Sequence, residues 1–158
     1  MEASDIVMGT GIAAFCRGPS GRISAWNEAA EALLGHAAPT VIGRRCHSVI
    51  GGRDELGIYC CDRCPSWRAA VRGAPVQPYH MEVRDAAGRW VKVAVTVLEL
   101  SDGNGLSLIH VLEKIEDVDM EVSLWESIDV GVPGPRPAPW DPDEGPFDTD
   151  EPPTAVAL

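Results

Sequence analysis

An α+β fold built on an antiparallel sheet is predicted by three observations in this 158-residue chain. Strand-like alternation recurs in its second half, the links between those strands are short and rich in turn formers, and brief capped helices fill the stretch before them. Tyr79, Met81 and Val83 alternate with His80, Glu82 and Arg84, and Val91, Val93, Val95 and Val97 alternate with Lys92, Ala94 and Thr96. Leu106, Leu108, His110 and Leu112 share one parity, which places them on one face of a third strand. The links at 85–88 (Asp-Ala-Ala-Gly) and 101–105 (Ser-Asp-Gly-Asn-Gly) are short enough to make the three strands antiparallel neighbours.

The earlier elements follow from local signals. An apolar run over 11–17 stops at Gly18-Pro19-Ser20-Gly21 and resumes over 22–26, which predicts a hairpin. Asn27 is a good N-cap for a helix over 28–34, and Gly35 stands just past its end. A further helical turn is expected within 39–45. A short amphipathic stretch over 46–50 is closed by Gly51-Gly52. Pro65 suits a first helical position, so Cys64 becomes the N-cap of a helix over 66–71 that stops at Gly73. Beyond the last strand, Ile115, Val118, Val122 and Trp125 fall on one face of an otherwise acidic segment, the pattern of a short amphipathic helix. From Gly131 onward there are eight prolines in 28 residues, a composition that cannot bury enough apolar area to offset ordering and predicts a disordered tail.

Charge divides the chain in two. Residues 1–115 carry twelve Lys/Arg against twelve Asp/Glu, whereas 116–158 carry twelve acidic residues and the lone Arg136, so the net charge of -11 lies in the tail. Without clustered Lys/Arg there is no electrostatic footprint for nucleic acid. No apolar run reaches the length of a membrane span, and the N-terminus is acidic where a secretory signal is basic, so the expectation is a cytoplasmic protein with reduced thiols.

The order of elements and particular residues resemble a PAS domain over about residues 9–116. The run from Gly21 to Ala30 (Gly-Arg-Ile-Ser-Ala-Trp-Asn-Glu-Ala-Ala) resembles that family's second strand leading into its first helix. Val41-Ile42-Gly43-Arg44 is similar to its "iG+" turn, and Asp85-Ala86-Ala87-Gly88-Arg89-Trp90-Val91 to its "dG+.+wv" hairpin. The resemblance implies a five-stranded antiparallel sheet with short helices on one face, a cavity between them for a small ligand, and signalling through the flanking helix. The organisation expected is an N-terminal extension at 1–8, a sensor domain at 9–116, an amphipathic exit helix at 117–130 and the acidic tail at 131–158. The cysteine segment is also similar to a subset of bacterial PAS modules that carry a Gly-Arg-Arg-Cys start, a Gly-Arg-Asp stretch and a Cys-Pro ending. No kinase, helix-turn-helix or cyclase domain follows here, so output is expected to pass through a protein partner or a homodimer, with Ile115, Val118, Val122 and Trp125 as the contact face.

Candidate chemistry centres on four cysteines within nineteen residues, Cys46, Cys60, Cys61 and Cys64, with His47 beside the first. Cys61 and Cys64 form Cys-x2-Cys, and a glycine-rich loop lets Cys46 return to them. Soft thiolates suit zinc or an iron-sulfur cluster, with His47 as a nitrogen ligand, and a thiol near a helix N-terminus is expected to have a lowered pKa. A thiol redox switch and plain packing of reduced cysteines are the competing readings. Cys16 is expected in the core. Haem through His47 or His80, and a flavin stacked on Trp26, Trp67 or Trp90, have weaker support. His80 is expected on a solvated face, His36 in a loop, and His110 as a buried, hydrogen-bonded histidine. No phosphate loop, nucleophile elbow or paired catalytic carboxylates occur, so no enzymatic activity is expected. The leading expectation is a stand-alone sensor of metal or redox state; the alternative is an adaptor whose fold only mediates association.

Overall fold

The computed structural model describes residues 1–116. In chain order the elements are α1 (Ala3–Gly9), β1 (Ala14–Arg17), β2 (Ile23–Trp26), α2 (Glu28–Leu34), α3 (Ala38–Val41), α4 (Cys46–Ile50), β3 (Arg53–Asp54), α5 (Pro65–Val71), β4 (Tyr79–Arg84), β5 (Trp90–Asp102) and β6 (Gly105–Lys114). The strands form one sheet in the order β2-β1-β6-β5-β4-β3, and every neighbouring pair is antiparallel. Six strands stand where five were expected. The extra one, β3, is two residues long and pairs Arg53 with Glu82 and Asp54 with Met81, too short to leave a periodic trace in sequence.

The main core lies between the sheet and α2–α5, where Phe15, Trp26, Leu34, Val41, Val83, Val93, Val95 and Leu108 are buried. A second, smaller core lies where α1 covers the opposite face, with Ala3 and Val7 against Ala14, Cys16, Ala25 and Ile109. The helices are therefore on both faces of the sheet, contrary to the expectation of helices on one face. The residues set apart as an N-terminal extension supply the cover for the other. Sandwiching by both layers explains why β1 is buried at all four positions and shows no polar alternation.

Asn27 joins these layers. Its side-chain oxygen accepts from Ala30 N–H at 2.9 Å, capping α2, and from Ala14 N–H at 3.1 Å on β1. Its amide nitrogen donates to the carbonyls of Val7, Thr10 and Ile12 at 3.1, 3.2 and 2.7 Å, which closes the end of α1 and the link to β1. The β4–β5 turn is held in the same style by Asp85, whose Oδ1 accepts from Ala87 and Arg89 N–H and whose Oδ2 meets the Arg89 guanidinium at 2.8 Å. These bonds, the Arg89 N–H first among them, hold the Asp85 carboxyl below its usual range.

Across the sheet, Trp26, Phe15 and His110 form a row on the core face. Phe15 pairs with Trp26 on β2 and with His110 on β6, its ring 5.5 Å from the first and stacked on the second at 4.5 Å. His110 is buried as expected and hydrogen-bonds to the Leu108 backbone, while its Nδ1 has no partner among the described residues, so it is only partly the satisfied histidine predicted. Burial, reinforced by the nearby positive charge of Arg17, pushes its pKa down from 6.5 to about 4.

Two outcomes follow. Asn27→Asp keeps the cap acceptor but removes every donor bond to three carbonyls, and should cost about 3 kcal/mol of unfolding free energy in urea titration; a change under about 0.5 kcal/mol would show those bonds to be dispensable. For His110, between pH 6.5 and about 4 the unfolded chain binds a proton that the native chain does not, so stability falls as pH drops through that window. His110→Leu should flatten that part of the urea midpoint profile, by on the order of 3 kcal/mol at its lower end; equal slopes in both proteins would refute a neutral buried imidazole.

Candidate functional site

Three separate segments carry cysteines to one cavity. The first is pinned to the β1–β2 hairpin: Cys46 N–H donates to Gly21 O at 2.9 Å, Gly43 N–H to Ile23 O at 2.8 Å, and Arg22 Nη1 to Gly43 O at 2.7 Å. Cys46 thereby starts α4 beside the end of β1. The second segment turns on Asp54, whose Oδ1 accepts from Leu56 and Ile58 N–H, each at 2.9 Å, and folds back so that Cys60 N–H reaches Gly52 O at 2.7 Å. A Cβ at Gly52 would displace the Met81 methyl and stand 3.1 Å from the Glu82 carbonyl, so the close approach of this turn to β4 favours glycine. The third is Cys64, the N-cap residue of α5 with Pro65 behind it, as the sequence predicts.

The cavity they face has a volume of about 320 Å³. Its wall includes Cys46, Cys60 and Cys64 together with Arg17, Tyr79 and Met81. Burial pushes the Cys46 thiol up to about 12, with the neighbouring Cys60 and Cys64 adding to the effect, and pushes Cys60 up to about 11, with Cys64 next in importance. Tyr79, buried against the same sulfurs and hydrogen-bonded to Ser66, is likewise pushed to about 12. For Cys46 and Cys60, then, desolvation favours the protonated form, and both are neutral thiols at physiological pH.

The remaining predicted residues are distributed differently. Cys61 is exposed, and His47 lies at the cavity wall with Nδ1 3.4 Å from Asp62. All five cysteines are free thiols. Among the described residues, no set of three or more His, Cys, Asp or Glu side chains stands in position to hold a metal ion. Cys16 is buried under α1, away from the cavity wall.

His80 is exposed and meets Glu55 at 3.1 Å, Trp26 is a core residue, and Trp90 is flanked by the guanidiniums of Arg53 and Arg84 at 4.3 and 4.2 Å. Trp67 is covered by Arg17 at 4.2 Å. Ile115 is half-buried and donates its N–H to Lys92 O at 2.9 Å; Val118, Val122 and Trp125 lie outside the described residues, as do the exit helix and acidic tail. Arg17, Ser66 and Tyr79 were missed as site residues. Arg17 closes an apolar run just before a Gly-Pro turn, a place where arginine normally reaches solvent, and nothing local signals its burial.

An antiparallel sheet with α2–α5 over one face, α1 over the other and a cavity walled by the α4 start, the α5 start and β4 defines an α+β module of a recognisable class. A family profile of the PAS fold matches residues 9–122, and the chain belongs to that family. Modules of this kind are generally sensory or signalling elements rather than catalysts. Among solved structures, the chain is similar to a PAS domain from a two-component sensor histidine kinase (16% identity, TM-score 0.53, covering 72% of this chain and 93% of that one). It is also similar to the PAS domain of nitrogen regulation protein NR(II) from Vibrio parahaemolyticus (18% identity, TM-score 0.51, covering 73% and 100%). A match to a chain of the E. coli DhaR(N)-DhaL complex has 13% identity and a TM-score of 0.49, and this protein covers 70% of itself but 34% of that chain. At these identities the likeness concerns the fold alone. No curated protein matches the sequence. Among the described residues no helix is long and apolar enough to cross a membrane.

In the reduced, metal-free protein at neutral pH, iodoacetamide should modify the exposed Cys61 well before Cys46 and Cys60, whose thiolate fractions are suppressed by burial. Peptide mapping by mass spectrometry checks the order, and labelling of Cys46 as fast as Cys61 would contradict it.

Proposed function

We propose that this chain is a PAS-type sensory module that reads a thiophilic metal ion or iron-sulfur centre through Cys46, Cys60 and Cys64, and reports it to a protein partner. The observation that carries the reading is the convergence of three thiols from three independently anchored segments on one cavity, close enough to raise one another's pKa. Neutral thiols are poor nucleophiles, which weakens the rival reading of a fast disulfide switch. A soft cation instead replaces the thiol protons and removes the mutual repulsion of the thiolates. Cys61 and His47 stand next to this set as further ligands.

Because the sulfurs do not already sit as a ligand set, binding has to draw the α4 start, the Cys60 loop and the α5 start together. That differential stabilisation of a closed arrangement is the physical content of sensing. The change would leave the domain through β6 and the segment after it, where Ile115, Val118, Val122 and Trp125 have the spacing of a contact face.

Cobalt(II) titration of the reduced full chain tests this. The expected result is thiolate-to-cobalt charge-transfer absorption, proton release on binding, and affinity that rises with pH toward the raised thiol values, all lost in Cys46→Ser/Cys64→Ser. A folded chain that stays colourless with cobalt and with anaerobically supplied iron and sulfide would overturn the reading and leave an association module.

A further inference from the structure

Arg17 is only 7% exposed, yet no hydrogen bond or ion pair reaches its guanidinium from any described residue, and its Nη1 is fully enclosed without a partner. The face of Trp67 lies 4.2 Å from the guanidinium carbon, which orients the plane but does not neutralise the charge. Arginine cannot shed its proton, so burial is uncompensated in a way that a thiol, a histidine or a lysine would avoid by becoming neutral.

The position of this charge is informative. Arg17 forms part of the wall of the 320 Å³ cavity, and its Nη2 lies 3.3 Å from where a Cβ on Gly21 would stand, so the hairpin loop leaves room for the guanidinium because residue 21 has no side chain. Two carboxylates share the cavity wall, and both are engaged elsewhere: Asp54 accepts from Leu56 and Ile58 N–H, and Asp62 meets Arg45 and His47 at 3.3 and 3.4 Å. The cavity thus contains a buried cation that neither wall carboxylate pairs with, beside apolar surface from Met81, Ile58 and the Tyr79 ring and the hydrogen-bonding hydroxyls of Tyr79 and Ser66.

The geometry points to a binding site for a small organic carboxylate, whose anionic group is held by the Arg17 guanidinium and whose apolar body lies along Met81 and Tyr79. The planar fork of arginine matches a carboxylate in two parallel bonds, and in an enclosed cavity such charge-assisted bonds discriminate strongly against neutral analogues. This assignment does not rest on metal binding by the thiols, since it uses Arg17 and the cavity shape alone.

Calorimetric titration of the full chain with acetate, benzoate and succinate, against benzamide as the neutral isostere of benzoate and inorganic phosphate as the competing anion, tests it. At least one carboxylate should bind saturably to wild type and to Cys46→Ser/Cys64→Ser alike, benzamide at least ~10-fold more weakly than benzoate if benzoate is the binder, and Arg17→Met should weaken carboxylate binding by ~10-fold or more. Retention by the cysteine variant separates this site from the metal reading. Saturable binding of none of the three carboxylates, tighter binding of phosphate than of any of them, or unchanged binding by Arg17→Met would overturn the assignment. A second measurement guards against loss of the fold: unliganded Arg17→Met should unfold at a urea concentration equal to or above that of wild type, because it removes an uncompensated buried charge. A clear drop in that midpoint would reveal an internal partner for Arg17 and also overturn the assignment.

Discussion

The structure depends on one buried amide. Asn27 is the point at which α1, β1 and α2 are tied together, with its oxygen serving two backbone N–H groups and its nitrogen three carbonyls. The Ala14 and Ala30 N–H groups and the Val7 carbonyl would otherwise lie buried without a partner, a cost that makes the constraint cooperative. Because β1 is the strand so fixed, the direction of Phe15 into the core and of Arg17 into the cavity follows from the same bonds. The link from sequence to site therefore runs through a residue that touches neither ligand nor cavity.

Low polarity inside the domain has opposite consequences for different ionisable groups. Cys46, Cys60 and Tyr79 are pushed toward their protonated, neutral forms, and His110 toward its deprotonated, neutral form. Arg17 alone has no neutral form to adopt. The cavity is thus a place where neutral thiols and an unpaired cation coexist, and a ligand that changed either the proton count or the charge would have a large effect on the balance. The ion pairs at its rim, Arg45 and His47 with Asp62, are more exposed and contribute little by comparison.

Local sequence marks identified much of the architecture. Asn27 and Gly35 bracket α2, Pro65 opens α5 with Cys64 in front of it, and the links before β5 and β6 are hairpins between antiparallel neighbours. Such features are legible because a cap or a tight turn is decided by the few residues that form it. The sixth strand, β3, was not legible, since two residues held by pairing to Glu82 and Met81 have no periodicity of their own. Nor was the role of α1: its apolar positions Ala3 and Val7 are two small residues whose value comes from the Ala14–Cys16 surface they cover.

The sequence by itself determined the family, the order of the capped helices and longer strands, the cap at Cys64 and the clustering of cysteines along the chain, because these are properties of neighbours in sequence. Only the tertiary structure decided how deeply each sulfur of the cavity wall is buried, leaving Cys61 exposed and bringing Cys46 next to Arg17 through hydrogen bonds between residues 43–46 and the hairpin. It also decided the charge state of the site, since burial is a sum over atoms from distant segments. Arg17 carries the same formula at the end of an apolar run whether that run ends in water or under Trp67. Its enclosure without a counter-ion is a long-range fact that no local pattern encodes.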